Sequence, residues 1–214
     1  MVALTTKEQN AIIKLFKTHF KVDKLKQVSV NARGELDVTA DKVTLRTPGS
    51  IPVKLGTITG DLDVAKMQLT SLNNCAHTVK GRFWCEDNQL TTLKGGPRRV
   101  SDAYVCSDNL LSSLEGIGTC EEIIINSSQP RSVQALKDLS HLPPKADSVE
   151  VSYNKQLPLL RLLSYNMFNV TKPPHSLEHP VQEILEEYAN QGKAGVIKCA
   201  AALIKAGYKD NARW

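Results

Sequence analysis

Aromatic side chains make up only 5% of this 214-residue chain, few for a sequence whose 41% apolar content predicts a sizeable core. Whatever fills that core is therefore not ring stacking. Charge of one sign is scarce too: 27 Lys and Arg against 22 Asp and Glu leave +5, which excludes a nucleic-acid-binding tail while leaving room for a basic face. No apolar run approaches the roughly 20 residues of a bilayer span, and residues 1–20 set Lys7, Glu8, Lys14 and Lys17 among their apolar side chains. That argues against a membrane helix and a secretory leader alike. Five cysteines without a Cys-x-x-Cys pair suit neither a disulfide framework nor a four-thiolate zinc site, and point to a reducing cytoplasm.

What the chain does have is a repeat. Three segments starting at Gly60, Gly81 and Asp102 align without a gap, at a period of 21 residues. The first runs Gly60-Asp61-Leu62-Asp63-Val64, then Met67-Gln68-Leu69-Thr70-Ser71-Leu72. The second runs Gly81-Arg82-Phe83-Trp84-Cys85, then Asn88-Gln89-Leu90-Thr91-Thr92-Leu93. The third runs Asp102-Ala103-Tyr104-Val105-Cys106, then Asn109-Leu110-Leu111-Ser112-Ser113-Leu114. Weaker copies flank them: Gly34-Glu35-Leu36-Asp37-Val38 upstream, and Ile124 with Asn126 and Val149-Glu150-Val151 with Asn154 downstream. A single coil cannot bury its apolar side alone, so the pattern predicts a stack of short strands, turns and extended returns. Strand alternation predicts Phe83 and Cys85 inside, with Arg82, Trp84 and Glu86 outside. The recurring Asn88, Asn109 and Asn154 suit bonding to backbone that the turns leave unpaired. Residues 127–147, with Pro130, Pro143 and Pro144, read as an insertion with one short helix around 133–139.

The segment Phe83-Trp84-Cys85-Glu86-Asp87-Asn88-Gln89-Leu90 resembles the leucine-rich-repeat pattern L-x-L-x-x-N-x-L. More narrowly, Cys85 through Val100, running on into Tyr104 and Cys106, is similar to units of the form C-x-x-N-x-L-T-S-L-x-G-x-P-x-x-V-x-G-x-F-x-C. Such units occur in short leucine-rich-repeat-like proteins of tailed bacteriophages, and the ending Ala206–Trp214 is similar to endings in that group. The resemblance covers roughly residues 34–154 by repeat logic. It implies an α+β repeat fold, a leucine-rich-repeat-like β-solenoid with short parallel strands, and carries no catalytic signature. Met67 in place of Asn and the insertion depart from the pattern.

An open stack needs caps. Thr5-x-x-Glu8 fits a capping box ahead of the stripe Ile12, Ile13, Leu15, Phe16 and Phe20. At the other end Pro180 and Gly192 bound one helix, and a second, about 194–205, ends at Gly207. Ile184, Leu185, Ile197 and Leu203 are expected to pack that hairpin. The expected organisation is thus a helical cap at 1–26, a solenoid at 27–158 interrupted at 127–147, a linker at 159–179 and a helical hairpin at 180–214. The caps are basic: residues 1–26 carry six Lys against Glu8 and Asp23, and residues 193–214 carry four Lys and Arg213 against Asp210. Dispersed over two helical ends, that charge reads first as solvated helix face and second as a nucleic-acid surface.

For chemistry the residues offer little. His19, His77, His141, His175 and His179 fall in unrelated places, and Gly95-Gly96-Pro97 sits at a repeat turn rather than in a phosphate loop. Cys85 and Cys106 share an inward position without further ligands in register. Secreted leucine-rich-repeat ubiquitin ligases invite comparison with Cys199, but Ala200-Ala201-Ala202 supplies no acid or base. The expectation is no enzyme, no metal and no cofactor. What remains is the outward strand face, running from Glu35 and Asp37 through Asp61, Asp63, Arg82, Trp84, Glu86 and Val105 to Ile123, Ile125 and Glu150. Exposed Trp, Arg and aliphatic residues together are what binding hot spots are made of. The expected role is a non-catalytic binder of a host protein, cytoplasmic and without membrane contact. Nucleic-acid binding through the caps and a virion structural role are the alternatives.

Overall fold

The computed structural model describes residues 4–129, 132, 135–171 and 180–214. Helix α1 (Thr6–His19) opens the chain under the capping box that its sequence predicts. The Thr5 hydroxyl accepts from the Glu8 amide, and the Glu8 carboxylate accepts the Thr5 amide. Phe16 is its one wholly buried side chain, stacked on Phe20 at 4.9 Å between ring centroids.

After α1 the chain winds. Strands β1 (Phe20–Asp23) and β2 (Gln27–Val30) form a first coil, and the turn at 31–35 reverses direction into β3 (Leu36–Thr39) and β4 (Lys42–Leu45). The Asn31 side chain holds that turn by accepting the Arg33 and Glu35 amides. As a result β1 pairs antiparallel with β4, and β2 with β3, so the first coil is a folded-back lid on the stack. From there the coils run parallel: β5 (Leu55–Ile58), β6 (Asp61–Asp63), β7 (Thr78–Val79), β8 (Phe83–Trp84), β9 (Arg99–Val100) and β10 (Ala103–Val105). β11 (Glu122–Ile125), β12 (Ser148–Ser152) and β13 (Met167–Thr171) complete the series. Among the described residues this gives an eight-stranded sheet ordered β1-β4-β6-β8-β10-β11-β12-β13 and a five-stranded sheet ordered β2-β3-β5-β7-β9. The architecture is a β-solenoid with helices at both ends.

The core is a set of ladders, because every coil puts the same offset at the same height. In the larger sheet Val43, Leu62, Phe83, Tyr104, Ile123 and Val149 form one row, and Leu45, Val64, Cys85, Cys106, Ile125, Val151 and Val170 the next; all are buried. From the turns, Leu69, Leu90 and Leu111 and then Leu72, Leu93 and Leu114 close the interior. The backbone repeats as well. Lys66, Asp87 and Asp108 take left-handed φ of 60°, 53° and 49°, and Asn74, Gly95 and Gly116 take 68°, 85° and 95°. At Gly116 only glycine fits, since a Cβ would stand 2.4 Å from the Lys94 nitrogen.

The Asn ladder is structural. Asn88 Oδ1 accepts the Met67 and Leu69 amides, both at 3.0 Å, while its Nδ2 donates to the Val64 and Cys85 carbonyls at 2.9 and 3.0 Å. Asn109 repeats the motif one coil on, accepting the Leu90 amide at 3.1 Å and donating to the Cys85 and Cys106 carbonyls.

Three expectations change at the C-terminal side. Residues 159–171, expected as part of a linker, hold a 3₁₀ turn (Leu160–Ser164) and β13, which adds a parallel strand to β12. Of the short helix expected around 133–139, residues 133 and 134 lie outside the described residues, Ala135 is helical like Ser132 before it, and 136–139 are not. Ile197, expected inside the hairpin of α2 (Val181–Tyr188) and α3 (Gly192–Lys205), is 70% exposed, and the packing face is Gly195, Cys199 and Leu203 instead. The hairpin seals the last coil. Gln182 Oε1 accepts the Val170 amide at 2.8 Å and its Nε2 donates to the Phe168 carbonyl at 3.3 Å, standing in for a further strand along the edge of β13.

Candidate functional site

The outer face of the eight-stranded sheet is set by register. Inward rows fix the outward ones, because successive side chains point to opposite faces. One outward row reads Asp23, Lys42, Asp61, Arg82, Ala103 and Glu122; the next reads Thr44, Asp63, Trp84, Val105, Ile124 and Glu150. Asp61, Asp63, Arg82, Trp84, Glu86 and Glu150 thus share the face on which the sequence places them.

Two residues do not. Ile123 and Ile125 lie inside, 0% and 5% exposed, and Ile124 takes the outward position in register with Val105 and Glu150. The run Ile123-Ile124-Ile125 is apolar throughout, so hydrophobicity cannot phase it, and register alone decides. The usable clue was the repeat: an odd offset from Tyr104 leads to Ile123 and Ile125. Glu35 and Asp37 leave the face as well, because Leu36–Thr39 belongs to the smaller sheet. Lys42, Ala103, Glu122 and Ile124 were missed for the same reasons.

At the centre of the face Trp84, Val105 and Ile124 form an apolar stripe across three adjacent strands. Val105 is only 6% exposed, since larger neighbours flank it at the strand spacing of about 4.8 Å. Trp84 is half-buried, with the Lys42 ammonium 4.6 Å from its ring centroid. That ammonium also pairs with Asp63 at 2.7 Å, so the indole is held from one side by a cation that is itself anchored. On the other side Glu150 is bonded by Asn126, which accepts in turn from Thr171.

Charge surrounds the stripe. Arg82 pairs with Asp102 at 3.0 Å, and this hydrogen bond, with the fields of Asp102, Glu122 and Asp61, raises its already high basicity. Lys21 pairs with Asp23 at 3.1 Å. Lys21, Lys42 and Arg82 are therefore each matched to a carboxylate, while Asp61, Glu86 and Glu122 form no ion pair among the described residues. The face is acidic in surplus although the chain as a whole is +5.

A second polar cluster sits on the smaller sheet. β5 bulges opposite β3, with Gly56 and Thr57 facing Asp37, and an open cleft of about 370 Å³ lies over the bulge. Its groups are spent on one another. Asp37 accepts the Thr57 amide at 2.7 Å, His77 Nε2 meets Glu35 at 2.9 Å, and Asn31 bridges Glu35 to Asp37. Burial pushes the Glu35 carboxyl up, but the His77 and Asn31 hydrogen bonds and the charges of His77 and Arg33 outweigh it and hold the group below its ordinary value. The cluster braces the bulge.

The thiols are buried, and burial raises each one: Cys75 and Cys120 to about 12, Cys199 to about 11, and Cys85 and Cys106 further. A thiol so raised supplies almost no thiolate at neutral pH. Among the described residues no group of three or more His, Cys, Asp or Glu could hold a metal ion, and no helix is long and apolar enough to cross a membrane. No protein-family model, no curated protein and no solved structure matches this chain.

Proposed function

We propose that this protein is a non-catalytic binding solenoid that captures a partner protein on the outer face of its eight-stranded sheet. The observation that carries the reading is the Trp84–Val105–Ile124 stripe, apolar at its centre and ringed by charge, on a rigid parallel scaffold. Aromatic anchors encircled by polar groups are where binding energy concentrates. The hairpin packs on the 3₁₀ turn and β13 at the end of the stack, and the insertion docks on a return segment through Lys137 and Ser112. The similarity of the repeat to phage proteins supports the finer reading: an accessory protein acting in an infected bacterial cytoplasm, where it binds and inhibits a host defence or regulatory protein.

The test is affinity purification from bacterial lysate with the wild type and with Trp84→Ala and Ile124→Asp. Each variant changes an outward side chain and leaves the interior ladders intact. A partner retained by the wild type and weakened about 30-fold or more by either variant, the loss expected of a hot spot worth about 2 kcal/mol, supports the reading. No partner, or equal retention by all three proteins, overturns it.

A further inference from the structure

Helix α3 has two apolar stripes. Gly195, Cys199 and Leu203 face the fold. On the other side Ala194, Ile197, Ala201 and Ile204 are all exposed, with Ile197 at 70% and Ile204 at 54%. Their spacing of three, four and three places them in one line. At 100° per residue Lys193 borders that line on one side and Lys198 with Lys205 on the other, and α3 contains no acidic residue. A soluble surface helix has no folding reason to carry such a second stripe.

We propose that this stripe docks on the outer strand face of a second copy of the chain, a head-to-tail contact. It rests on the reading of that face as a binding surface and adds an occupant. Two complementarities favour it. The stripe runs about 15 Å along the helix, against about 10 Å across Trp84, Val105 and Ile124. Its lysines meet a face whose Lys21, Lys42 and Arg82 are already paired and whose Asp61, Glu86 and Glu122 carry surplus charge. Pairing α3 with α3 of a second copy, antiparallel about Cys199, would instead set Lys193 against Lys205, like charge on like. Because donor and acceptor surfaces differ, the contact is heterologous and copies add head to tail, as open chains or closed rings. The docked copy also occupies Trp84, so self-association and partner capture compete.

Sedimentation analysis across protein and salt concentrations tests this. The wild type is expected to gain mass with concentration in roughly the micromolar to millimolar range of a small interface, and to lose it as salt rises. Ile197→Asp and Trp84→Ala each remain monomeric alone. Mixed, they form 1:1 dimers and nothing larger, since one keeps an intact face and the other an intact helix. A wild type that stays monomeric throughout overturns the proposal. So does Trp84→Ala associating as the wild type does, or association that strengthens with salt, both of which indicate α3 pairing with α3. Ile197→Asp retains the strand face, so capture of a lysate partner by this variant reports on the binding reading separately.

Discussion

Replacing Asn88 with alanine offers the sharpest test of how the coils are held together. In the native fold its side chain makes five bonds to backbone, accepting the Met67 and Leu69 amides and donating to the Val64, Cys85 and Glu86 carbonyls. Alanine leaves two amides without an acceptor. An orphaned buried donor costs about 1–3 kcal/mol, so the expected loss is about 2–6 kcal/mol. Set against a total stability of roughly 5–15 kcal/mol, that is a large fraction. The carbonyls add less: Cys85 still accepts from Asn109 at 2.9 Å and Glu86 from the Lys66 amide at 3.0 Å, so only Val64 is deprived. Asn109→Ala provides the internal control. Asn109 serves a single amide, that of Leu90, so its loss should be smaller by about one orphaned donor, roughly 1 kcal/mol or more. Urea unfolding followed by far-ultraviolet circular dichroism reads both; with a slope near 3 kcal/mol/M, Asn88→Ala should lower the midpoint by about 1–2 M. The double variant should lose more than the sum, because Cys85 then has neither donor. A midpoint for Asn88→Ala within a few tenths of molar of the wild type, or a larger loss for Asn109→Ala, refutes the account.

Other outcomes follow from single contacts. Tyr104 Oη is buried without a hydrogen-bond partner among the described residues, so Tyr104→Phe should be neutral or stabilising by about 1 kcal/mol in the same urea assay; a clear destabilisation would mean the hydroxyl is bonded. Gln182→Ala strips both partners from the edge of β13 and should cost about 1–3 kcal/mol with increased aggregation on heating, measured by calorimetry and light scattering. Glu35 holds its charge below its ordinary 4.5, so its contribution is complete above that value and drains away as pH falls through the lower folded one. The stability gap between wild type and Glu35→Gln should therefore be present at about pH 5 and shrink in more acid solution; a gap that does not shrink in acid excludes the brace.

How much was legible depended on whether local chemistry or packing made the decision. The 21-residue repeat was readable because a stacked coil imposes one side-chain requirement per offset, and Leu90, Leu111 and the Asn ladder answer it identically. The α1 capping box was readable because its bonds span only Thr5 to Glu8. Assignment of coils to sheets was not: Glu35 and Asp37 sit in a sequence resembling the opening of the next unit, yet the turn at Asn31 reverses the chain and puts them on the smaller sheet. Ile123 and Ile125 were misplaced because three successive isoleucines carry no alternation. Strand β13 was hidden because its sequence Met-Phe-Asn-Val-Thr lies past the last unit, and becomes a strand by pairing with β12 and bonding Gln182.

The sequence by itself determined that a core with few rings would be a ladder of Leu, Val, Ile and Cys, with Trp84 turned outward. Both follow from period and alternation, which are properties of a single coil. Only the tertiary structure decided which outward residues become neighbours. Trp84, Val105 and Ile124 lie 19 to 21 residues apart and meet through parallel register. Register is set by the whole stack and its caps, so the apolar stripe, the anchored Lys42 beside it and the surplus of acid around it exist only once the coils are laid on one another.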